Sequence, residues 1–442
     1  MTNETPRRLA FIELAPGVLP RHALAYLFAA FVSIGLFAYL SAMTPFILSV
    51  NLSLPEAQHG RASGLLQGWQ EVIILLVIGW WGALSDRIGR RPVYVGGFLL
   101  ISIAYFLYPL ADSLPELVAY RVVFGCAVAA LGAMLATVLA DYPRESSRGK
   151  LSGVAFFLNA LGSVVFLLGL TQLPRLYAAA GASQLEAGRY AFFTIGAVAL
   201  LAACVMFGLK PGLPTQVKSR KPMLALIREG MQAARNPRIA LAYGGGFISR
   251  ADLSLITLFL ALWAAQSAQQ EGLSAAQAAG RVGITIGVTQ LTAMVWAPVY
   301  GWLADHMNRT VHFAGAFALA LVGYGWVGMQ DDIVATSALP ALIMLGVGQS
   351  STILAATILL GQEAPRESRG SVFGLQAFCG GLGILAISWA GGLLYDHVAP
   401  SAPFTLVGVA NAVVALWAVW VYLRSRRAPS RAASGASVSS LP

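Results

Sequence analysis

The chain has 442 residues, of which 57% are hydrophobic and 11% are charged, and its formal net charge is +10 at pH 7. A charged share about half that of an ordinary soluble domain, together with a mean hydropathy of +0.70, excludes a water-soluble globular protein. The positive charge would suggest nucleic acid as a partner of a soluble protein, but here the basic residues lie between apolar runs. No nucleic-acid partner is therefore expected.

Twelve apolar runs are long enough to cross a bilayer as helices, which takes roughly 20 residues. The first run is too long for the core of a signal peptide and is expected to remain as a spanning helix. The sequence thus predicts an all-α polytopic membrane protein in contact with the lipid bilayer. The predicted spans are 24–50, 62–85, 92–112, 115–140, 149–172, 187–209, 238–266, 281–304, 310–330, 334–361, 370–395 and 402–424.

The distribution of Lys and Arg predicts the orientation of the spans. Of the 29 basic residues, all but six fall on one side of the predicted membrane. The six others are Arg61, Arg175, Arg189 and Arg281 on the far side, and Arg121 and Arg250 inside spans. Because basic loops stay in the cytoplasm, both termini and the central linker are expected there, in the inner membrane of a bacterium.

The longest polar stretch inside the chain, 210–237, separates an N-terminal half at 1–209 from a C-terminal half at 238–424. Apolar residues at 223, 226, 227 and 231 suit one face of a helix that carries basic residues elsewhere. Such a helix is expected to lie on the inner membrane surface, although a solvated tether is the alternative. The tail at 425–442 is rich in Arg, Ser and Ala and is expected to be disordered.

The two halves repeat each other at an offset of about 220 positions. Gly60-Arg61 returns as Gly280-Arg281, and Arg148-Gly149 returns as Arg369-Gly370. The repeat predicts two pseudo-symmetric six-helix bundles, and the surface where they meet is the first place to look for a functional site.

The loop after the second span carries a family signature. Its residues Gly82-Ala83-Leu84-Ser85-Asp86-Arg87-Ile88-Gly89-Arg90-Arg91 match in full the G-x-L-x-D-R-x-G-R-R pattern of the major facilitator superfamily, whose members are built from repeats. A partial second copy follows span 8. The chain resembles this superfamily over essentially its whole length, which implies two bundles that rock about a central site.

The resemblance implies that the loop is a conformational latch. Asp86 would sit against the start of helix 11 near Gly370, and Arg90 would pair with Asp141. The alternative is that these charges only enforce topology and cap helix ends. The second copy lacks the full basic pair, so its latch is expected to be weaker. The predicted latch residues are Gly82, Asp86, Arg87, Gly89, Arg90, Arg91, Asp141 and Arg148 in the first half and Gly301, Asp305, Arg309, Glu363 and Arg369 in the second.

Ionisable residues inside the bilayer cost about 2.5–3.5 kcal/mol on insertion scales and are functional candidates. Glu71 lies deep in the second span and aligns with the neutral Gln290 of the other half. Arg121 resembles the arginine of the family's helix 4 motif, although Ala127 replaces its second glycine. Glu71, Gln290 and Arg121 are therefore predicted to serve substrate or protons, with a permanent Glu71–Arg121 bridge as the structural alternative.

Arg250 and Asp252 fall near the middle of span 7, just after three consecutive glycines that suggest a hinge. Residues two apart on a helix point in different directions, so each of the two needs a partner elsewhere. At least one is predicted to face the translocation path; buried bridging between helices is the alternative.

These features predict a secondary active transporter that works as a monomer by alternating access. The solute is expected to be a small polar, anionic or zwitterionic molecule, and H+ is the expected coupling ion. Proton-driven efflux of amphipathic drugs is the alternative, although helix 5 lacks the Gly-Pro signature of the family's drug antiporters. A sensor that binds solute without transport is a second alternative. The 3 cysteines and 5 histidines show no metal-ligand spacing, and no nucleotide motif is present, so no metal, cofactor or enzyme activity is expected.

Overall fold

The computed structural model describes residues 7–213, 223–365 and 368–427. Within these residues it has 12 helices long and apolar enough to cross a membrane. They confirm the predicted spans, and most continue a few residues beyond the apolar run. Spans 1 to 12 are Pro20–Asn51, Glu56–Ile88, Arg90–Leu110, Leu114–Asp141, Glu145–Ala179, Gln184–Gly208, Pro237–Gln270, Ala275–His306, Arg309–Gly328, Thr336–Glu363, Arg369–His397 and Ala402–Arg426.

The spans pack in the same pattern in both halves. In the first half span 1 packs on span 5, span 2 on span 4, and span 3 on spans 4 and 6. In the second half span 7 packs on span 11, span 8 on span 10, and span 9 on spans 10 and 12. Between the halves, span 2 packs on span 11 and span 5 on span 8. The fold is therefore two pseudo-symmetric six-helix bundles, as predicted.

Spans 1, 5 and 7 depart from a regular α-helix. Span 1 ends in a π-helical turn at Ile47–Asn51, and span 7 contains another at Ile256–Leu260. Span 5 is a helix at Arg148–Leu168, a 3-10 turn at Leu170–Gln172 and a short helix at Leu173–Ala179. The helix Pro237–Leu255 runs through the three glycines 244–246 without a break in this state, and the hinge expected there stays a prediction. These glycines also serve close packing: Gly245, for example, faces the ring of Phe313.

The linker forms a helix at Met223–Ala233, where an amphipathic helix is predicted. This linker helix docks on the second bundle: the Ser371 hydroxyl donates to the Glu229 carboxylate at 2.9 Å, and the Tyr243 hydroxyl donates to the Gly230 carbonyl at 3.0 Å. Residues 214–222 of the predicted linker and residues 428–442 of the predicted tail lie outside the described residues. Residues 425–427 of that tail are helical, since the last helix runs from Ala402 to Arg427.

A short N-terminal hairpin is an element that the sequence did not predict. Strand Arg8–Leu9 pairs antiparallel with strand Ile12–Glu13. The Glu13 carbonyl accepts from the backbone N–H of Arg144 at 2.9 Å, and the Glu13 N–H donates to the Ser147 hydroxyl at 3.0 Å. The hairpin therefore covers the loop between spans 4 and 5. We call the end of the bundles that carries the hairpin and the linker helix the linker face, and the other end the opposite face.

Candidate functional site

Glu71 of the first bundle and Arg250 of the second lie beside two adjacent glycines of span 11, and no ion pair joins them. Glu71, on span 2, is only 6% exposed. A Cβ added to Gly381 would lie 2.9 Å from its carboxylate, and a Cβ added to the adjacent Gly380 would lie 2.5 Å from Arg250 Cγ. The two side chains attract each other electrostatically. The mid-membrane interface thus carries one acid and one base contributed by opposite halves.

Arg250 points out of its own bundle. It is exposed, whereas the residues on either side of it, Ser249 and Ala251, are each only 3% exposed. Its side chain contacts Gly380 on span 11 of its own bundle and lies near Glu71 of the first bundle. An exposed guanidinium at this depth, with no ion pair to another described residue, can bind the carboxylate or phosphate of a solute.

Asp252 lies inside the second bundle and does not face the path. It is 0% exposed. Thr352 of span 10 donates to one carboxylate oxygen at 3.2 Å, and Asn411 of span 12 donates to the other at 3.2 Å. Because its partners are neutral groups of neighbouring helices, Asp252 matches the bridging alternative and is not a solute ligand in this state.

Arg121 is enclosed in the first bundle. It is 0% exposed, and its Nη2 donates to Gln67 Oε1 at 3.0 Å. The guanidinium lies over the rings of Phe124 and Tyr108, with its carbon 5.6 Å and 6.0 Å from their centroids. Its Nε and Nη1 have no hydrogen-bond partner among the described residues. The permanent Glu71–Arg121 bridge is not formed; Gln67, one helical turn before Glu71, takes its place.

Gln290 occupies the mirrored place on span 8. It is half-buried and lies three residues after Gly287, which packs against Leu168 of span 5. Glu71 likewise lies three residues after Gly68, which packs against Trp389 of span 11. The structure therefore sets Glu71 and Gln290 at equivalent positions on the two bundle interfaces.

The bundles touch backbone to backbone at the opposite face. A Cβ added to Gly64 on span 2 would overlap the Ser388 carbonyl of span 11, and a Cβ added to Gly283 on span 8 would overlap the Leu167 carbonyl of span 5. Small residues allow such close approach of membrane helices. The amide of Gln172 adds a hydrogen bond to the Gly280 carbonyl at 3.1 Å. This face is closed.

The same helices separate toward the linker face. A Cβ added to any of five glycines there would meet no heavy atom within 4 Å. These are Gly149 and Gly153 on span 5, Gly301 on span 8, and Gly370 and Gly374 on span 11. Spans 5, 8 and 11 are therefore less closely packed here than at the opposite face, so the interface is more open toward the linker face.

Arg90 contacts two other predicted latch residues of the first half, Asp86 and Asp141; the expected contact of Asp86 with the start of helix 11 near Gly370 stays a prediction. Arg90 Nε donates to Asp141 at 3.1 Å, and its Nη1 contacts Asp86 at 2.5 Å and the Ser85 hydroxyl at 2.6 Å. Gly89 joins spans 2 and 3 with a φ of 96°, a left-handed conformation that favours glycine. The structure thus brings the predicted partners Arg90 and Asp141 together.

The other latch residues of the first half contribute less to this cluster. Arg91 lies over the Phe207 ring at 5.2 Å, and Arg87 is exposed. Arg148 pairs with the neighbouring Glu145 at 2.8 Å. Gly82 is half-buried within span 2.

The second-half latch is centred on Glu363. Its carboxylate lies 3.6 Å from Arg309 Nη1 and 3.1 Å from Arg238 Nη1, and Arg238 is a partner that the sequence did not predict. Asp305 is exposed and has no hydrogen bond or ion pair to another described residue, so it does not join this cluster. Arg369 donates to the Gly361 carbonyl, and Gly301 is half-buried.

The comparisons with known proteins agree with this architecture. Residues 25–388 match the family model described as Major Facilitator Superfamily. Two magnetosome proteins of Paramagnetospirillum magneticum are similar: MamH is 28% identical over 87% of this chain and 89% of its own, and MamZ is 26% identical over 86% of this chain and 59% of its own. The multidrug efflux protein YfmO of Bacillus subtilis is 24% identical over 74% of this chain and 76% of its own.

Among solved structures, that of the nucleoside transporter NupG has the same fold, with a TM-score of 0.69 and 11% identity over 90% of this chain and 98% of NupG. The family model spans most of the chain, and the paired six-helix bundles agree with it. The chain is a multi-pass integral membrane protein that belongs to the major facilitator superfamily of transporters.

Proposed function

We propose that this chain is a proton-coupled secondary transporter that moves a small anionic or zwitterionic solute by alternating access. The observation that carries the proposal is the position of Glu71 and Arg250 beside Gly381 and Gly380. One ionisable group from each bundle at a shared contact is an arrangement that must change when the bundles rock.

The proposed coupling is a competition for Arg250. Ionised Glu71 partly offsets the charge of Arg250 across the interface, and a solute carboxylate or phosphate bound to Arg250 would compete with it. A displaced carboxylate in a low-dielectric interface is costly unless it takes up a proton. Protonation of Glu71 and binding of the anionic solute to Arg250 therefore favour each other, as expected for a symporter.

The other predicted residues take supporting roles in this proposal. Asp252, whose carboxylate is bonded to the neutral Thr352 and Asn411 among the described residues, is a second candidate proton carrier. Arg121 positions Gln67 beside Glu71. We further propose that the linker face is cytoplasmic in a bacterial inner membrane, that the linker helix lies at that surface, and that the protein acts as a monomer.

Reconstituted protein tests this proposal. A proton gradient imposed across liposomes should drive accumulation of a radiolabelled carboxylate or phosphate solute chosen by thermal-shift screening of purified protein. Glu71→Gln should abolish the response to the gradient while solute exchange without a gradient persists. Glu145→Gln, which neutralises an acid at the linker face, is the matched control and should retain the response. Gradient-driven accumulation that survives in Glu71→Gln would refute the coupling role of Glu71.

Proton-driven efflux of amphipathic compounds is the second candidate, because a relative over most of the chain is named a multidrug efflux protein. The same liposomes distinguish the two functions. Efflux of lipophilic cations driven by the gradient, with no binding of any anionic solute, would favour the drug exporter. Binding of a solute without flux would favour the sensor.

A further inference from the structure

We propose that Asp396 is a lock that holds the opposite face closed: its carboxylate caps the start of span 2 from the other bundle, and both of these hydrogen bonds must break before that face can open. The role in transport rests on the proposed function, whereas the lock itself is tested without any solute. Asp396 is half-buried near the end of span 11.

The capping geometry is direct. The backbone N–H of Gly60 donates to Asp396 Oδ1 at 2.8 Å, and the N–H of Arg61 donates to Oδ2 at 2.8 Å. These residues are in the first turn of the helix His59–Ile88, where N–H groups have no intrahelical acceptor. Both hydrogen bonds are charge-assisted, and the carboxylate faces the positive end of the helix dipole. A side chain of the second bundle thus satisfies the start of a helix of the first.

Asp396 and the backbone of span 11 pack tightly against Gly60. A Cβ added to Gly60 would lie 2.5 Å from Asp396 Oδ1 and 2.7 Å from the Gly392 carbonyl. Beside it, Gln266 of span 7 accepts from the Tyr395 hydroxyl at 2.9 Å and donates to Glu56 of the first half at 3.2 Å. Opening this face breaks the Asp396 cap and the Gln266–Glu56 hydrogen bond together.

The pseudo-symmetric interface between spans 5 and 8 is built differently. There the Gln172 amide of span 5 donates to the Gly280 carbonyl at 3.1 Å. The Gln184 side chain, at the start of span 6, accepts from the Ala276 N–H at 3.0 Å. Gly280 aligns with Gly60, but its helix begins five residues earlier, at Ala275, so its N–H lies within the helix and not at its start. At the start of this helix the Ala276 N–H donates to the neutral amide of Gln184 and not to a carboxylate. The charged lock is therefore a property of the span 2–span 11 pair among these contacts.

Distances between spin labels across the opposite face test the lock. Cysteines at the exposed Gln58 and Val398, placed in a background that lacks the three native cysteines, report on the two sides of the contact. Gln58 with Ser113 is a control pair within the first bundle. Asp396→Asn should raise the ratio of long to short distances about tenfold, equivalent to about 1.4 kcal/mol. The control pair should not change.

Two further variants complete the test. Gly60→Ala should lengthen the same distance, because its methyl group displaces Asp396, and it decides the question if Asp396→Asn does not fold. Asp331→Asn removes an exposed acid on the same bundle and face and should leave the distances unchanged. Unchanged distances in Asp396→Asn and Gly60→Ala would overturn the lock while leaving the proposed transport to be decided by the liposome assay.

Discussion

Replacing glycines along the bundle interface by alanine should shift the two faces in opposite directions. At Gly64 on span 2 an added methyl group would overlap the Ser388 carbonyl of span 11, so Gly64→Ala opposes closure of the opposite face. Gly374 on span 11 has open space around its Cβ position in this state, so Gly374→Ala is tolerated here and obstructs only a state closed at the linker face.

The effect of Gly64→Ala on the ratio of closed to open opposite face follows from the steric cost alone. Alanine in place of glycine stabilises a helix by about 0.5–1 kcal/mol, but span 2 is helical in both states, so this gain cancels. Overpacking of the close contact costs the closed state about 1–3 kcal/mol, which lowers its ratio to the open state by a factor of roughly 5–150. For Gly374→Ala the steric cost falls only on the state that is closed at the linker face.

Spin-label distances between Gln58 and Val398 measure both effects on one scale. Gly64→Ala should increase the fraction of long distances. Gly374→Ala should increase the fraction of short distances. The reasoning fails if the two substitutions move the distribution in the same direction, or if Gly64→Ala leaves it unchanged while the protein remains folded.

Three other predictions follow from individual contacts. Asp252→Ala should lower the melting temperature in detergent, because it removes two hydrogen bonds worth about 0.5–1.5 kcal/mol each, while Thr352 and Asn411 keep the carbonyls of Gln349 and Val407 as acceptors; an unchanged melting temperature would show that the two bonds to Asp252 add nothing to stability. Arg90→Ala should destabilise the protein more than Arg309→Ala, because Arg90 makes three close contacts and Arg309 only a 3.6 Å pair; a larger loss in Arg309→Ala would contradict this ranking. Hydrogen bonds from Arg8 and Ser146 lower the pKa of Glu13 from its usual 4.5. The ionised Glu13 carboxylate therefore stabilises the hairpin fully above pH 4.5, and this stabilisation is lost as the pH falls through the lowered pKa. Hydrogen exchange of residues 8–14 should accelerate over this range, and Glu13→Gln should remove the pH dependence.

The sequence predicted those parts of the molecule that depend on composition and repetition. Hydropathy locates all 12 spans because a helix in lipid must cover its backbone with a long apolar run. The offset between Gly60 and Gly280 locates the two bundles, and the family signature anticipated that Arg90 and Asp141 lie together.

The partners of the buried charges could not be predicted in the same way. Asp252 is satisfied by neutral groups from spans 10 and 12, distant in the chain and without a motif. Arg121 takes Gln67 because helix rotation brings an amide, and not Glu71, within reach. Asp396 accepts hydrogen bonds from backbone N–H groups, and because every residue except proline has such a group, the sequence cannot single out these partners. The N-terminal hairpin has strands of only two residues, too short to show alternation.

The most direct test of alternating access about Glu71 and Arg250 measures both faces in one variant. Spin labels at Glu145 and Met307 report on the linker face, and those at Gln58 and Val398 report on the opposite face. Glu71→Gln removes the attraction to Arg250 that this linker-face-open state contains. The linker-face distance should therefore shorten while the opposite-face distance lengthens. Distances that change together, or at one face alone, would contradict a single site that opens to each side in turn.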